Sequence, residues 1–335
     1  MLWHDITIAG TGAWIPPIRP EDDAGPASPG GPPSMAVANG FTSAAVSTGE
    51  TATQMAARAA LRALRHADVA SADVSLLAHA TFQDEDHYTP APYLLRVLGG
   101  AHTTGIEVGA ASDGGAAALV TAAEHLTARP AATAALVTAG ARFPHERWGH
   151  VRQIGYVAGD AGAAAVLTRG TGFARLVATA QATAPHLEVL TRAGQQGAAA
   201  DSGRRFLAEQ TGLMPHIDVL QRSTRRCIET VLDEAAVTPP EISHVVAIAI
   251  GSAVLDLVLS GPPLNRRADD TNWTFGRHLG HAGPCDVLLA LDRMFRSGAL
   301  RVGDRILVVS FGLGFRWTTA LVEVTRAPAG VAARR

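Results

Sequence analysis

The sequence predicts an α/β fold built from two comparable halves. Three observations carry that expectation. Short apolar runs of strand type alternate with segments of helical character along the chain. A Gly-Thr-Gly break at 170–172 divides the chain into parts of similar length and style, 1–171 and 172–335. The second part repeats the style of the first, and two comparable halves suggest an internal duplication, although no sequence identity shows it.

The first half opens with a strand at Ile6-Thr7-Ile8-Ala9-Gly10. Residues 16–47 follow, rich in Pro, Gly and Ser, and read as a loop or flexible insertion. Residues 51–65 form a helix, with Met55, Ala59, Leu61 and Leu64 near one stripe and Thr51 or Thr53 as its cap. A buried strand at 74–80 and a short helix at 92–98 come next, then a strand at Ile106-Glu107-Val108 that stops at Gly109. Residues 112–126 read as a helix whose small residues, from Gly114 to Ala118, let neighbours approach closely. A strand at 132–139 follows, and Gly159-Asp160-Ala161-Gly162 turns into another buried strand.

The second half begins with a strand at 173–182 and a polar, Gly-containing loop at 194–205. A long helix at 217–236 and a buried strand at 245–250 follow. Residues 284–296 form a helix starting just after Gly283. Two strands, 306–311 and 315–324, are joined by Gly312-Leu313-Gly314, and the tail from Ala327 is expected to fray.

Composition narrows the chemistry. The chain has 335 residues with 28 Lys+Arg, and every one of these is arginine. A lysine Schiff base, a P-loop lysine and a Ser–Lys dyad are therefore excluded. Net charge is −2 at pH 7, so no basic field points to nucleic acid or an anionic membrane. Two cysteines, Cys227 and Cys285, are too few for a disulfide framework or a cysteine-rich zinc site. They fit a reduced, cytoplasmic setting. The start shows no signal-peptide pattern. The longest apolar stretch, 245–259, is interrupted by Gly251, Ser252 and Asp256 and is too short to span a bilayer.

Three places in the chain have the residue types for acyl chemistry. Ser112 follows a strand and sits in the first turn of a buried helix. A nucleophile there meets free backbone N–H groups and the positive end of the helix dipole, which stabilise an oxyanion. A serine at that position is also a common plain N-cap. The second place is Gly280-His281-Ala282-Gly283-Pro284-Cys285-Asp286, with His281 before a helix and Asp286 in its first turn. Ser, His and Asp in this order suit a nucleophile, a base and an orienting acid. Taken singly, His281 also reads as a loop histidine and Asp286 as a first-turn acid. The third is Ser310-Phe311-Gly312-Leu313-Gly314-Phe315, either a tight β-turn or a close backbone approach that offers an N–H.

These sites, in this order, resemble a ketoacyl-ACP synthase III of the thiolase superfamily. The likeness runs over about residues 6–324 and is strongest in 106–119, 157–167, 277–292 and 309–322. Glu107-Val108-Gly109-Ala110-Ala111-Ser112-Asp113-Gly114 matches the junction that carries the family's nucleophilic cysteine, with serine in its place. Gly159-Asp160-Ala161-Gly162 is similar to the family's Gly-Asp-Gly-Ala segment, and Phe311-Gly312-Leu313-Gly314 to its final Phe-Gly-Gly-Gly turn. The resemblance implies a thiolase fold of five layers, αβαβα, from two duplicated halves, and a homodimer. It implies that the backbone N–H of Leu313 completes the oxyanion hole. It also implies no permanently bound cofactor, the acyl donor riding on the phosphopantetheine of CoA or a carrier protein.

The departures carry as much information. Condensing members use the histidine of a His-Gln-Ala-Asn motif and the asparagine of a Gly-Asn-Thr-Ser motif to decarboxylate malonyl thioesters. Here the first falls near Ile250-Gly251-Ser252-Ala253 and has no histidine, and the second reads Gly280-His281-Ala282-Gly283. The chain is more similar to a divergent branch of acyltransferases from antibiotic and polyketide pathways, with an aspartate five residues after the histidine. That likeness implies an acyltransferase acting through acyl-Ser112, with His281 as base and Asp286 orienting it, and an acceptor that is a small-molecule hydroxyl or a carrier protein. A starter-unit condensing synthase and a non-catalytic ketosynthase partner are the alternatives. The Trp and Arg that help hold CoA in condensing members have no counterpart in 30–47. Arg152, Arg204, Arg205, Arg222, Arg225 and Arg226 are candidates to meet a phosphate or an acidic carrier protein, or form a solvated face. His87, Tyr88 and Tyr93 fall where relatives line the acyl pocket or dimer interface, and no role is assigned to them.

Overall fold

The computed structural model describes residues 1–20, 35–82, 89–143, 155–170, 172–188 and 214–326. The loop at 194–205, Arg152, Arg204, Arg205, His87, Tyr88 and the tail from Ala327 lie outside the described residues.

In the first half the elements are β1 (Ile6–Trp14), β2 (Ile18–Pro20), α1 (Met35–Ala38), β3 (Ser43–Ala45), α2 (Ala52–Ala67), β4 (Val74–Thr81), α3 (Pro90–Leu98), β5 (Thr104–Val108), α4 (Gly114–Ala128), β6 (Ala134–Ala141) and β7 (Ala161–Arg169). In the second they are β8 (Ala174–Thr183), α5 (Met214–Ala235), β9 (His244–Ala247), α6 (Ser252–Leu259), α7 (Trp273–Gly276), α8 (Asp286–Arg296), β10 (Arg305–Gly312) and β11 (Arg316–Val324). The stretch expected as a loop at 16–47 therefore contains β2, α1 and β3, and β2 pairs with β3.

Nine strands form one sheet in the order β5-β4-β6-β7-β1-β8-β11-β10-β9. The strands of the two halves meet at a short antiparallel seam, Thr7 opposite Arg175 and Ile8 opposite Ala174. Alternate residues of the first-half strands enter separate cores, as a period of two requires. Leu77, Leu136 and Val166 face α2 and α3, whereas Ala78, Val137 and Ala165 face the core shared with α4 and α8. Helices α4 and α8 touch strands of both halves, and α5 covers β8 and β11. The layering is thus helix, strands, helix, strands, helix.

Local chemistry explains the boundaries. Thr51 caps α2: its hydroxyl accepts the Gln54 N–H at 3.1 Å, and Gln54 Oε1 accepts the Thr51 N–H at 2.9 Å. Leu61 faces solvent at 39% exposure, so it leaves the stripe expected for it, and Ala56, Ala60 and Ala63 complete the buried face. The small residues of α4 have the use their sequence suggested. A Cβ at Gly115 would lie 2.2 Å from the Pro284 carbonyl oxygen, and one at Gly114 3.1 Å from Pro284 Cβ. The starts of α4 and α8 therefore cross in close contact. Strand β9 ends at Ala247, earlier than expected, because Asn272 replaces a strand neighbour there. Asn272 Oδ1 accepts the Ala247 N–H at 2.6 Å, and its Nδ2 donates to the Ala247 carbonyl at 2.9 Å.

Candidate active site

Both central helices begin with a 3-10 turn: Ala111–Asp113 leads into α4 and Gly283–Cys285 into α8. Ser112 thus sits one turn ahead of the α-helix in which the sequence placed it. Each turn opens on a left-handed residue, Ala111 at φ 47° and Gly283 at φ 53°. That conformation is free of steric cost at glycine and costs about 1–2 kcal/mol at alanine. The strain falls on the residue just before Ser112, where buried surroundings hold it.

The turns bring Ser112, His281 and Asp286 into one buried line. Ser112 Oγ lies 2.8 Å from His281 Nε2, and His281 Nδ1 lies 2.6 Å from Asp286 Oδ2. Asp286 Oδ2 also accepts the Ala249 N–H at 2.7 Å, and Oδ1 accepts the Ala282 N–H at 2.8 Å. A carboxylate only accepts, so the proton sits on Nδ1 and the Nε2 lone pair faces the Ser112 hydroxyl. The early end of β9 frees the Ala249 amide for this contact.

The Gly-Asp-Ala-Gly segment backs the histidine. The His281 N–H donates to Val157 O at 2.6 Å, and His281 O accepts the Gly159 N–H at 2.9 Å. A side chain at Gly159 is excluded, since its Cβ would come 2.0 Å from the Leu279 carbonyl oxygen. Burial pushes the Asp160 carboxyl up, yet it accepts the N–H groups of Ser47 at 2.8 Å and Phe143 at 2.7 Å. It thereby anchors two loops beside the site.

Ser112 and His281 open into a cavity of about 440 Å³ walled by Phe82, Phe143, Tyr156, Phe311, Phe315 and Trp317. Ile250 lines it from the start of the segment 250–253. No arginine, aspartate or glutamate stands among its described lining residues. Leu313 lies on the wall at the tip of the β10–β11 turn, and its N–H has no hydrogen-bond partner among the described residues. Gly312 presses on the Ser112 turn: a Cβ there would meet Ala110 O and Asp113 N at 2.7 Å and Ser112 N at 2.9 Å.

Sequence reasoning missed several groups. Tyr156 packs edge-on against the His281 ring with centroids 5.8 Å apart, and burial pushes its hydroxyl pKa up. Asn39 enters the cavity wall from α1's end, its Nδ2 donating to Gly155 O at 2.6 Å. Neither carries a local motif. Asp113, beside Ser112, is fully buried. Burial pushes its carboxyl up to about 7, opposed by Thr318, Ser310 and Arg316. Thr318 Oγ1 donates to its Oδ2 at 2.8 Å, and Arg316 Nε lies 3.6 Å from the same oxygen. Ser310 is near enough to favour the charge, yet neither its hydroxyl nor Asp113 Oδ1 completes a hydrogen bond among the described residues.

The candidate arginines on α5 take other partners. Arg222 pairs with Asp218, and Arg225 Nε lies 3.0 Å from Glu229. Arg226 lines a separate depression with Met1, Glu124 and Glu234. Tyr93 packs in the α2–α3 layer beneath Arg96, away from the cavity. Both cysteines are free and buried. Burial pushes the Cys227 thiol up to about 11 and raises Cys285 well above its ordinary value. No helix among the described residues is long and apolar enough to cross a membrane.

Known proteins match this architecture. Residues 232–324 match the family described as 3-oxoacyl-[acyl-carrier-protein (ACP)] synthase III C terminal. A β-ketoacyl-[acyl-carrier-protein] synthase III of Gloeobacter violaceus is 27% identical over 283 residues, covering 82% of this chain and 84% of its own. The solved structure of ChlB3, described as an acyltransferase, superposes with a TM-score of 0.84 at 31% identity, over 97% of this chain and 99% of that one. The 3-oxoacyl-[acyl-carrier-protein] synthase III structure from Aquifex aeolicus VF5 gives a TM-score of 0.76 at 22% identity, over 95% and 99%.

Proposed function

The chain belongs to the ketoacyl-ACP synthase III-like proteins of the thiolase superfamily, and from that premise we propose an acyltransferase of specialised metabolism that works through acyl-Ser112. The observation that carries this reading is the hydrogen-bonded line from Ser112 through His281 to Asp286. His281 takes the Ser112 proton as Ser112 Oγ attacks a thioester carbonyl, a role worth roughly 10²–10⁴ in rate. Asp286 holds the imidazole and stabilises its cation. The Leu313 N–H and the start of α4 receive the oxyanion. The C–S bond breaks, the thiol leaves with the proton from His281, and an ester remains on Ser112. An acceptor hydroxyl or carrier-protein thiol then enters, gives its proton to His281 and takes the acyl group, and Ser112 recovers its proton.

Serine needs this relay more than cysteine does, because a thiol already supplies some thiolate near neutral pH. The apolar cavity suits an uncharged acyl group. It offers no described cation to a malonyl carboxylate, and the resemblance aligns the segment near Ile250 and the residue His281 with the condensing histidine and asparagine motifs, which neither matches. These features favour transfer without decarboxylative condensation. The donor is a phosphopantetheine thioester on a carrier protein or CoA, since the Gloeobacter relative is a synthase named for an acyl carrier protein. The edge strand β5, half exposed, suits pairing with a second copy in a homodimer.

The test is intact-protein mass spectrometry against acyl-CoA and acyl-carrier-protein donors. A stable mass increment on the wild type that vanishes in Ser112→Ala is expected. An increment retained in Ser112→Ala would sink the reading. The synthase names of several relatives keep a condensing reading in view. Carbon dioxide release from malonyl-carrier protein with carbon–carbon bond formation distinguishes it.

A further inference from the structure

Asp113 takes no part in the proton relay, yet it shares a turn with Ser112 and has no exposed surface. Its polar contacts run to the strands either side of the Leu313 turn, with Ser310 of β10 near it. Thr318 and Arg316, both on β11, reach its Oδ2 at 2.8 and 3.6 Å. Gly312, at the other end of the same turn, presses its backbone on the Ser112 and Asp113 amides. The nucleophile turn and the Leu313 turn are thus joined twice, by backbone contact at Gly312 and by a side chain at Asp113. The place of the Leu313 N–H relative to Ser112 depends on that joint, and misplacement of about 1 Å costs up to roughly a hundredfold in rate.

The charged and titratable groups around Asp113 are few. Arg316 faces it from β11, Cys227 from α5, and His281 lies beyond Ser112. The Cys227 thiol stays protonated, its pKa pushed up to about 11. Arg316 is the cation that acts on the carboxyl.

We propose that Asp113 is a positioning residue for acyl transfer: as a carboxylate it ties the Ser112 turn to β11 through Thr318 and Arg316, and so fixes the Leu313 amide relative to the Ser112 hydroxyl. The inference rests on the acyl-Ser112 reading. No bond forms or breaks at Asp113. Protonation removes the attraction of Arg316 and loosens the joint. With the carboxyl pushed up to about 7, the tie is present above neutrality and lost as pH falls below it.

The probe is p-nitrophenyl acetate, which acylates an activated serine without any carrier. Nitrophenolate release and the acyl-protein mass are followed from pH 5.5 to 8.5. Asp113→Asn is expected to acylate about tenfold more slowly at pH 8 with KM unchanged, and to lose the part of the acid limb that Asp113 contributes. Arg316→Gln removes the cation, so the acid limb moves to higher pH. A folded Asp113→Asn protein with wild-type rate and pH profile overturns the proposal. Should that variant not fold, an unmoved acid limb in Arg316→Gln, a half-exposed site, overturns it equally. Ser112→Ala runs in parallel: an adduct surviving there removes the acyl-serine reading itself, a failure separate from that of Asp113.

Discussion

The turn before α4 and the turn before α8 have the same form and hold different residues. Both are 3-10 turns opening on a left-handed residue, and both lead into a central helix. Ser112 in the first corresponds to Pro284 in the second, and Asp113 to Cys285. Each half then contributes one buried carboxylate near its helix start, Asp113 and Asp286. Asp286 is saturated by the His281 ring and two backbone amides. Asp113 has the Thr318 hydroxyl, a distant guanidinium and the nearby Ser310 hydroxyl and Thr318 backbone, and its Oδ1 completes no hydrogen bond among the described residues. The two carboxylates thus share burial and differ in the number of donors brought to them, and each donor to the charged form favours it.

The sharpest way to break the comparison is to disable the saturated side. His281→Ala is expected to lower acylation of Ser112 by roughly 10²–10⁴. A rate within tenfold of wild type, read by acyl-protein mass, means that the second turn does not serve the first. Asp286→Asn replaces an acceptor by an amide that cannot satisfy all three donors. It is expected to slow acylation and to lower stability by roughly 1–3 kcal/mol in denaturant titration.

The unsaturated side has a pH signature. Asp113 is raised from 3.8 to about 7 in the folded protein. Its ionisation is thus resisted in the fold and easy in the unfolded chain, so stability falls as pH rises across that window. The loss at full ionisation is on the order of a few kcal/mol. Asp113→Asn is expected to flatten this slope between about pH 4 and 7. An unchanged slope would show that the carboxyl does not titrate there.

Smaller effects test the backbone joints. Gly312→Ala pushes a methyl group against Asp113 N and Ala110 O, with roughly 1–3 kcal/mol of destabilisation and slower acylation expected. Ala111→Gly places in the first turn the residue type the second already has, and a gain of up to about 1 kcal/mol is expected. A lower Tm in that variant means Ala111 is not strained.

Much of this was legible because it is local. The strand–serine–small-residue order around Ser112, the five-residue step from His281 to Asp286 and the glycines at 312 and 314 are all short-range patterns. The alternation of element types likewise anticipated the layers. What escaped is long-range. Thr318 meets Asp113 across 205 positions, and Ala249 meets Asp286 across 37, with no composition signal at either end. Leu61 was misplaced because a hydrophobic count favours leucine, whereas the α2 interface is tight enough to select alanine. The α5 arginines looked available in sequence, but two of them close on acids one helical turn away.

The two buried thiols give the molecule a selective surface chemistry. Cys227 and Cys285 are inaccessible and held as thiols, and the chain has no lysine. An electrophile therefore meets neither a free thiolate nor a side-chain amine. Fluorophosphonates are expected to mark the Ser112 oxygen against a quiet background. A cysteine introduced on the outer face of α5 becomes a single attachment point for a maleimide dye, with both native thiols left in place.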